Sequence, residues 1–298
     1  MSLNTNALIA SVQFHTLGNS RKDARLTTEV HAKHDMGNEA GRYQKCLVPD
    51  RFVAPLRTIM RAARSNHEQL TLDTPLGYLL PPAKAAEYQS TMTKWRTTWD
   101  AAVRKFISQW PRYLECPACA ASATPRSGTL NCCARGIHKD TFDLALYPTV
   151  SELPSKFKFE FSLTPLPRAE MLDEITGLAD AQIHDLRRQL NESTARAAQA
   201  ARDDLMQRIL FRLGNLSRCL SNPDAQVRQR TVESLTELLD SAAAYNLTND
   251  ASITRLVADC RRELTLATEV LREDDTARRR SATAAQMILA PYSRKIAA

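Results

Sequence analysis

Between Met92 and Tyr113 the large apolar residues recur at spacings of three and four: Met92, Trp95, Trp99, Ala102, Phe106, Trp110 and Tyr113. Only a helix brings such positions onto one face, so the spacing predicts a helix from Ala83 to about Tyr113. All three tryptophans of the 298-residue chain lie on this seam, and each ring can bury on the order of 150–250 Å². The functional alternative for these rings is a platform on which nucleic-acid bases stack. Seam periodicity favours packing between helices.

Composition extends the helical reading to the whole chain. Eight glycines and 6% aromatic residues argue against large barrels and sandwiches, which need frequent glycine turns and aromatic or β-branched strands. The same glycines fit neither G-x-x-x-x-G-K-[ST] nor G-x-G-x-x-G. A G-x-S-x-G elbow and an H-E-x-x-H helix are also missing from the sequence, and the carboxylates are scattered over polar helix faces. The expectation is a protein that is not an enzyme and binds no nucleotide.

Three stretches read as strands: Val12, Phe14 and Thr16; Leu76 to Leu80; and Phe157, Phe159, Phe161 and Leu163, which alternate strictly with polar neighbours. Helices are expected at 20–36, at 50–66 with Asp50 as cap and Val53, Leu56, Met60 and Ala63 on one face, at 168–220 as one or two helices, and at 224–244, 250–272 and 275–291. Residues 37–48 read as a loop. Asn222-Pro223 breaks the long helical stretch, and a turn falls at Asn246–Asn249. The fold class is mainly α (α+β): long helical hairpins packed with a small antiparallel or mixed sheet of about three strands. Residues 1–166 make an α+β domain with a cysteine-rich tip at 116–138, and residues 167–298 make an all-helical region.

The net charge of +7 is uneven. The first 115 residues carry 16 basic and 10 acidic groups, whereas residues 167–298 carry 19 of each. An anionic partner, either nucleic acid or an acidic protein face, is therefore to be sought in the first third. There Arg57, Arg61 and Arg64 form a stripe whose guanidinium forks can grip phosphates or carboxylates; the plain alternative is a solvated helix face. Arg278, Arg279 and Arg280 follow Glu273, Asp274 and Asp275 and read as helix-surface pairing. No stretch reaches the roughly 18 apolar residues of a membrane span, and the N-terminus lacks the basic region of a signal peptide. The chain is expected in the cytoplasm, with no membrane partner.

One constellation has metal-ligand spacing: Cys116-Pro-Ala-Cys119, then Cys132-Cys133, then His138. A C-x-x-C pair turns two thiolates toward one ion, and Cys132 or Cys133 with His138 can complete a tetrahedron. The expected cofactor is a structural zinc; the competing reading is a flexible tip with incidental thiols. Redox chemistry is disfavoured because no thioredoxin-like βαβ pattern surrounds the pair.

The order of segments carries a family resemblance. An early LGNSRK, the stretch VPDRFVAPLRTIMRAARSNHEQLTLDTPLGYLLPP, the aromatic KWRTTWDAAVRKFISQWPRY, then YPTVSELPSKFKFEFSLTPLP and a helical end with ESLTELLDSAAAYNLTND together resemble the bacterial and phage family known as domain of unknown function 3150. The resemblance covers nearly the whole chain. It implies a companion, in phages and mobile elements, of MoxR-type AAA+ ATPases and von Willebrand factor A proteins. It carries over no catalytic residue, and the cysteine insert at 116–138 departs from the helical hairpin expected at that place. The leading expectation is a non-catalytic adaptor for such a protein partner. The alternatives are nucleic-acid binding in phage replication or recombination, and a virion structural role.

Overall fold

The structure is a computed structural model that describes residues 7–292 apart from 19, 38, 118–132, 139–140, 175–176, 178 and 265. It is mainly helical with a small sheet. The chain divides into two compact units, and each is assembled from separate stretches of sequence: Met1–Ser11, Glu68–Tyr88 and Ser162–Ala298 in one, Val12–His67 and Gln89–Phe161 in the other.

The first of these units is helical with a sheet at its start. β1 (Leu8–His15) begins here and pairs antiparallel with β5 (Gly77–Leu80), which in turn pairs with β4 (Leu72–Thr74). β6 (Lys158–Pro165) runs along the other edge of β1, giving the order β4-β5-β1-β6. Its register brings the Ser11 and Ser162 hydroxyls to 2.8 Å of each other and the Leu166 amide to the Ala7 carbonyl. The β4–β5 hairpin, of which the sequence reading had only the second strand, closes on Gly77. That residue takes a φ of +102°, open to glycine at little cost, while the Thr74 hydroxyl donates to its carbonyl at 2.6 Å.

The helices that follow pack around one element, α6 (Asp180–Ser221), a single helix of 42 residues. Leu205, Ile209, Leu213, Leu216 and Leu220 succeed one another at spacings of three and four, and none is more than 3% exposed. They meet Val232, Leu235 and Leu239 of α7 (Gln229–Tyr245), Ile253 and Leu256 of α8 (Ala251–Glu263) and Ala285 of α10 (Asp275–Leu289) in one core; α9 (Thr268–Glu273) contributes Leu271. Each buried leucine contributes on the order of 1.5–3 kcal/mol. Ala197, Ala198 and Ala201 are also buried, so the alanine-rich stretch is a place of close helix approach.

The C-terminal end of α6 is finished by Arg278 of α10. Its guanidinium donates to the carbonyls of Cys219 (3.2 Å), Leu220 (3.3 Å), Asn222 (2.6 Å) and Ala225 (2.8 Å). Cys219 and Leu220 lie in the last turn of the helix, where carbonyls run out of intrahelical amide partners, the Asn222 carbonyl also accepts from the Ala225 amide at 3.1 Å, and a cation there faces the negative end of the helix dipole. Arg278 thus departs from the expected surface pairing, whereas Arg279 lies 4.0 Å from Asp275 on its own helix. Arg278→Met should lower unfolding free energy by about 2 kcal/mol, and Arg279→Met by less than about 0.5 kcal/mol, in urea titrations. Equal effects would show that Arg278 contributes only as a surface charge.

The second unit is built on the aromatic seam. α3 (Ala85–Leu114) carries Trp99 and Trp110, each 1% exposed, with Phe106 and Tyr113 also buried. Trp99 meets Phe14 of β1 edge-on at 5.4 Å, and Phe106 meets Phe157, just after the short helix α5 (Leu153–Lys156), at 5.3 Å. Phe14 stacks on Phe159 of β6 at 4.5 Å, with their planes within 6° of parallel. The polar ends are satisfied: Trp110 Nε1 donates to the Pro148 carbonyl at 3.0 Å and the Tyr113 hydroxyl to the Leu47 carbonyl. Buried in this way, Trp99 and Trp110 offer no face to bases, and the seam is packing.

Two elements of this unit differ from the sequence expectation. Residues 20–36, expected as a helix, begin with β2 (Ser20–Lys22), and α1 (Ala24–Lys33) starts only at the Asp23 cap. The expected loop at 37–48 contains β3 (Gln44–Cys46), which pairs antiparallel with β2. Three-residue strands with polar sequences carry no periodic signal, and their pairing is non-local. α2 (Asp50–Leu70) follows, burying Val53, Leu56, Ala63 and His67.

Candidate functional site

Arg57, Arg61 and Arg64 run along one side of α2, adjacent to the face that buries Val53, Leu56 and Ala63, with Arg57 half-buried and Arg61 and Arg64 exposed. They are not three equivalent cations. Arg57 is held by Asp50 at 2.8 Å on the same helix. Arg64 lies over the Phe14 ring, 5.4 Å from its centre, a cation–π contact that fixes the guanidinium against the aromatic layer. Arg61 makes a 3.4 Å contact to the Arg57 carbonyl and no ion pair among the described residues. Arg96 of α3 lies in the same manner over Phe161, at 5.3 Å. The stripe is thus partly neutralised and partly tied to the sheet.

Of the metal-spaced residues, Cys119 and Cys132 lie outside the described residues, while Cys116, Cys133 and His138 lie within them. Cys116 follows the end of α3 and is half-buried. Cys133 is buried and sits just before α4 (Ala134–His138), where its sulfur accepts from the Gly136 amide at 3.4 Å. Glu115, next to Cys116, is paired with Arg135 of α4, which ties the end of α3 to this short helix. His138, at the other end of α4, donates from Nε2 to the carbonyl of Cys46 at 2.9 Å. Burial and the nearby Lys45 push the His138 pKa down, against the opposing pull of that hydrogen bond. This keeps the ring in its neutral, metal-ligating form with Nδ1 as the remaining nitrogen. Among the described residues no group of three or more His, Cys, Asp or Glu side chains is placed to hold a metal.

Cys46 was not among the sequence-selected residues, and no spacing could have marked it. His138 reaches it through its backbone carbonyl, while its thiol turns to the Val48 carbonyl at 3.6 Å. The structure therefore brings His138 and Cys46 together, keeps the arginine stripe on one helix, and leaves half of the cysteine set undescribed.

In the helical unit a cleft of about 660 Å³ opens between α8 and α10. Leu256, Ala284, Ile288 and Met287 form its floor and edge, and Met287 is 71% exposed. The rim is charged: Arg262 is held by Asp259 at 2.6 Å and by Glu263 at 2.8 Å. Among the described residues no helix is long and apolar enough to cross a membrane.

Comparison with known proteins adds no relative. No family model matches the chain, and no curated protein or solved structure matches it.

Proposed function

We propose that this chain is a non-catalytic adaptor of a phage or mobile element, and that it engages a MoxR-type AAA+ ATPase or a von Willebrand factor A protein through its helical unit. The observation that carries the reading is the α8–α10 cleft, with an exposed Met287 over an apolar floor inside a rim of paired charges. An apolar centre with a polar rim is the general anatomy of a protein interface, and a flexible methionine adapts to a partner's surface. The order of sequence segments that resembles domain of unknown function 3150 names the partner class.

The test is co-purification of the full chain with each of the two candidate partners from one genome, with and without ATP. The wild-type chain is expected to co-elute with one of them, and Met287→Glu, exposed and so compatible with folding, is expected to reduce retention by about tenfold or more. Elution as separate species in every condition would overturn the proposal, as would retention unaffected by Met287→Glu.

A further inference from the structure

The β2–β3 ribbon places two cations directly opposite one another. Arg21 of β2 is the register partner of Lys45 of β3, so the two side chains leave the same face of the ribbon with Cα atoms about 5 Å apart. Like charges facing each other in this way destabilise a ribbon, and a ribbon with only three residues in each strand has little pairing to offset the cost. Lys45 is also nearly enclosed, at 4% exposure. Its ammonium donates to the Thr141 carbonyl, and among the described residues it has no carboxylate partner. A buried ammonium satisfied by one neutral carbonyl is an expensive arrangement unless an anion completes it.

Both residues line one cavity of about 400 Å³, together with Lys22 and Arg25. Three acids also reach its wall, and each is already engaged. Glu29 pairs with Arg25 at 3.0 Å, Asp23 accepts from the Leu26 amide at the start of α1, and Asp143 accepts from the Ala145 amide. Arg21, Lys22 and Lys45 are left as the cations without an acid among the described residues. Apart from Thr141 the rest of the wall is apolar, with Leu26, Leu146 and the half-buried ring of Phe142, which packs on Tyr147 at 5.5 Å. The volume is that of a small-molecule pocket.

We propose that this cavity binds a small phosphate-bearing molecule, its phosphate held between Arg21 and Lys45 and its apolar body against Phe142 and Leu26. Two cations on adjacent strands can share the oxygens of one dianion, Arg21 as a fork and Lys45 as a point charge. A dianion offsets two facing charges where a carboxylate offsets one. The site is independent of the adaptor reading and draws on none of its residues.

The test is isothermal titration calorimetry of the full chain at low ionic strength with inorganic phosphate, phenyl phosphate, benzoate and a short single-stranded oligonucleotide. Inorganic phosphate is expected to bind one site per chain with a Kd below about 1 mM, phenyl phosphate about tenfold more tightly and benzoate more weakly than either. Lys45→Met, close in shape, is expected to weaken phosphate binding by about tenfold or more while the chain stays folded. Arg21→Gln, on an exposed position, is expected to do the same and keeps the question open to measurement should Lys45→Met not fold. The proposal is overturned if phosphate shows no saturable heat, if neither substitution weakens it, if benzoate binds as tightly as phenyl phosphate, or if only the oligonucleotide binds.

Discussion

Replacing Trp99 with alanine is expected to lower the unfolding free energy by about 3–5 kcal/mol, measured by urea titration followed by circular dichroism. Trp99 is 1% exposed and is met from two sides, by Phe14 at 5.4 Å and Phe157 at 6.5 Å, both edge-on. Truncation removes the transfer free energy of the indole, opens a cavity that rings held in β1 and beside β6 cannot readily fill, and deletes two aromatic contacts worth about 0.5–1.5 kcal/mol each. Trp95, on the same seam, is half-buried, and its Nε1 donates to the Asn66 side chain at 2.7 Å. Trp95→Phe should therefore cost about 1 kcal/mol, the scale of one lost hydrogen bond. If the two substitutions cost the same, the aromatic layer is not the core of this unit.

How far the sequence revealed this architecture depended on whether the signal was periodic. The seam on α3 and the leucine ladder of α6 repeat over many turns, so their faces were legible, as was the face of α2 that buries Val53, Leu56 and Ala63 beside the arginine stripe. The alternation at 157–163 foretold β6, because one face of that strand is buried and the other is not. What stayed hidden was set by partners distant in sequence. β2 and β3 hold three residues each, with Arg21, Lys22, Gln44 and Lys45 among them, and nothing in such residues announces a strand until the other half of the pair is known. The same holds for the facing of Arg21 and Lys45, which is a product of register and not of spacing. Arg278 illustrates a different limit: its neighbours Asp274 and Asp275 suggested a surface pair, whereas its guanidinium reaches four carbonyls beyond its own helix. The division into units also follows space, since β1, α2, α3 and β6 each run from one unit into the other.

Breaking the Arg202–Asp250 pair is expected to cost the helical unit about 3–5 kcal/mol at pH 7. Asp250 is 5% exposed and caps α8: its Oδ1 accepts from the Ser252 amide at 2.7 Å and the Ile253 amide at 3.3 Å, and the Ser252 hydroxyl also donates to it. Its other oxygen is held by Arg202 of α6. Burial alone would raise the carboxyl pKa, but the hydrogen bonds from Ser252 and Arg202, with the charge of Arg202, outweigh it and bring the pKa down to about 2. Arg202→Met removes the counter-charge and leaves the carboxylate enclosed, whereas in Arg202→Met with Asp250→Asn the amide keeps an oxygen as cap and part of the loss is recovered. The sign with pH follows from the depressed pKa: the contribution is complete above the unfolded value of 3.8 and is lost as pH falls toward about 2. His67 acts earlier and in the same direction. Burial lowers its pKa from 6.5 to about 4, so the unfolded chain takes up a proton that the folded chain refuses, and stability falls as pH drops through that interval. Urea titrations from pH 7 to pH 2 should therefore show two successive losses, with the lower one absent in the Arg202→Met, Asp250→Asn double variant. A wild type whose stability is flat below pH 4, or an Arg202→Met chain as stable as wild type at pH 7, would show that the pair does not hold α6 to the start of α8.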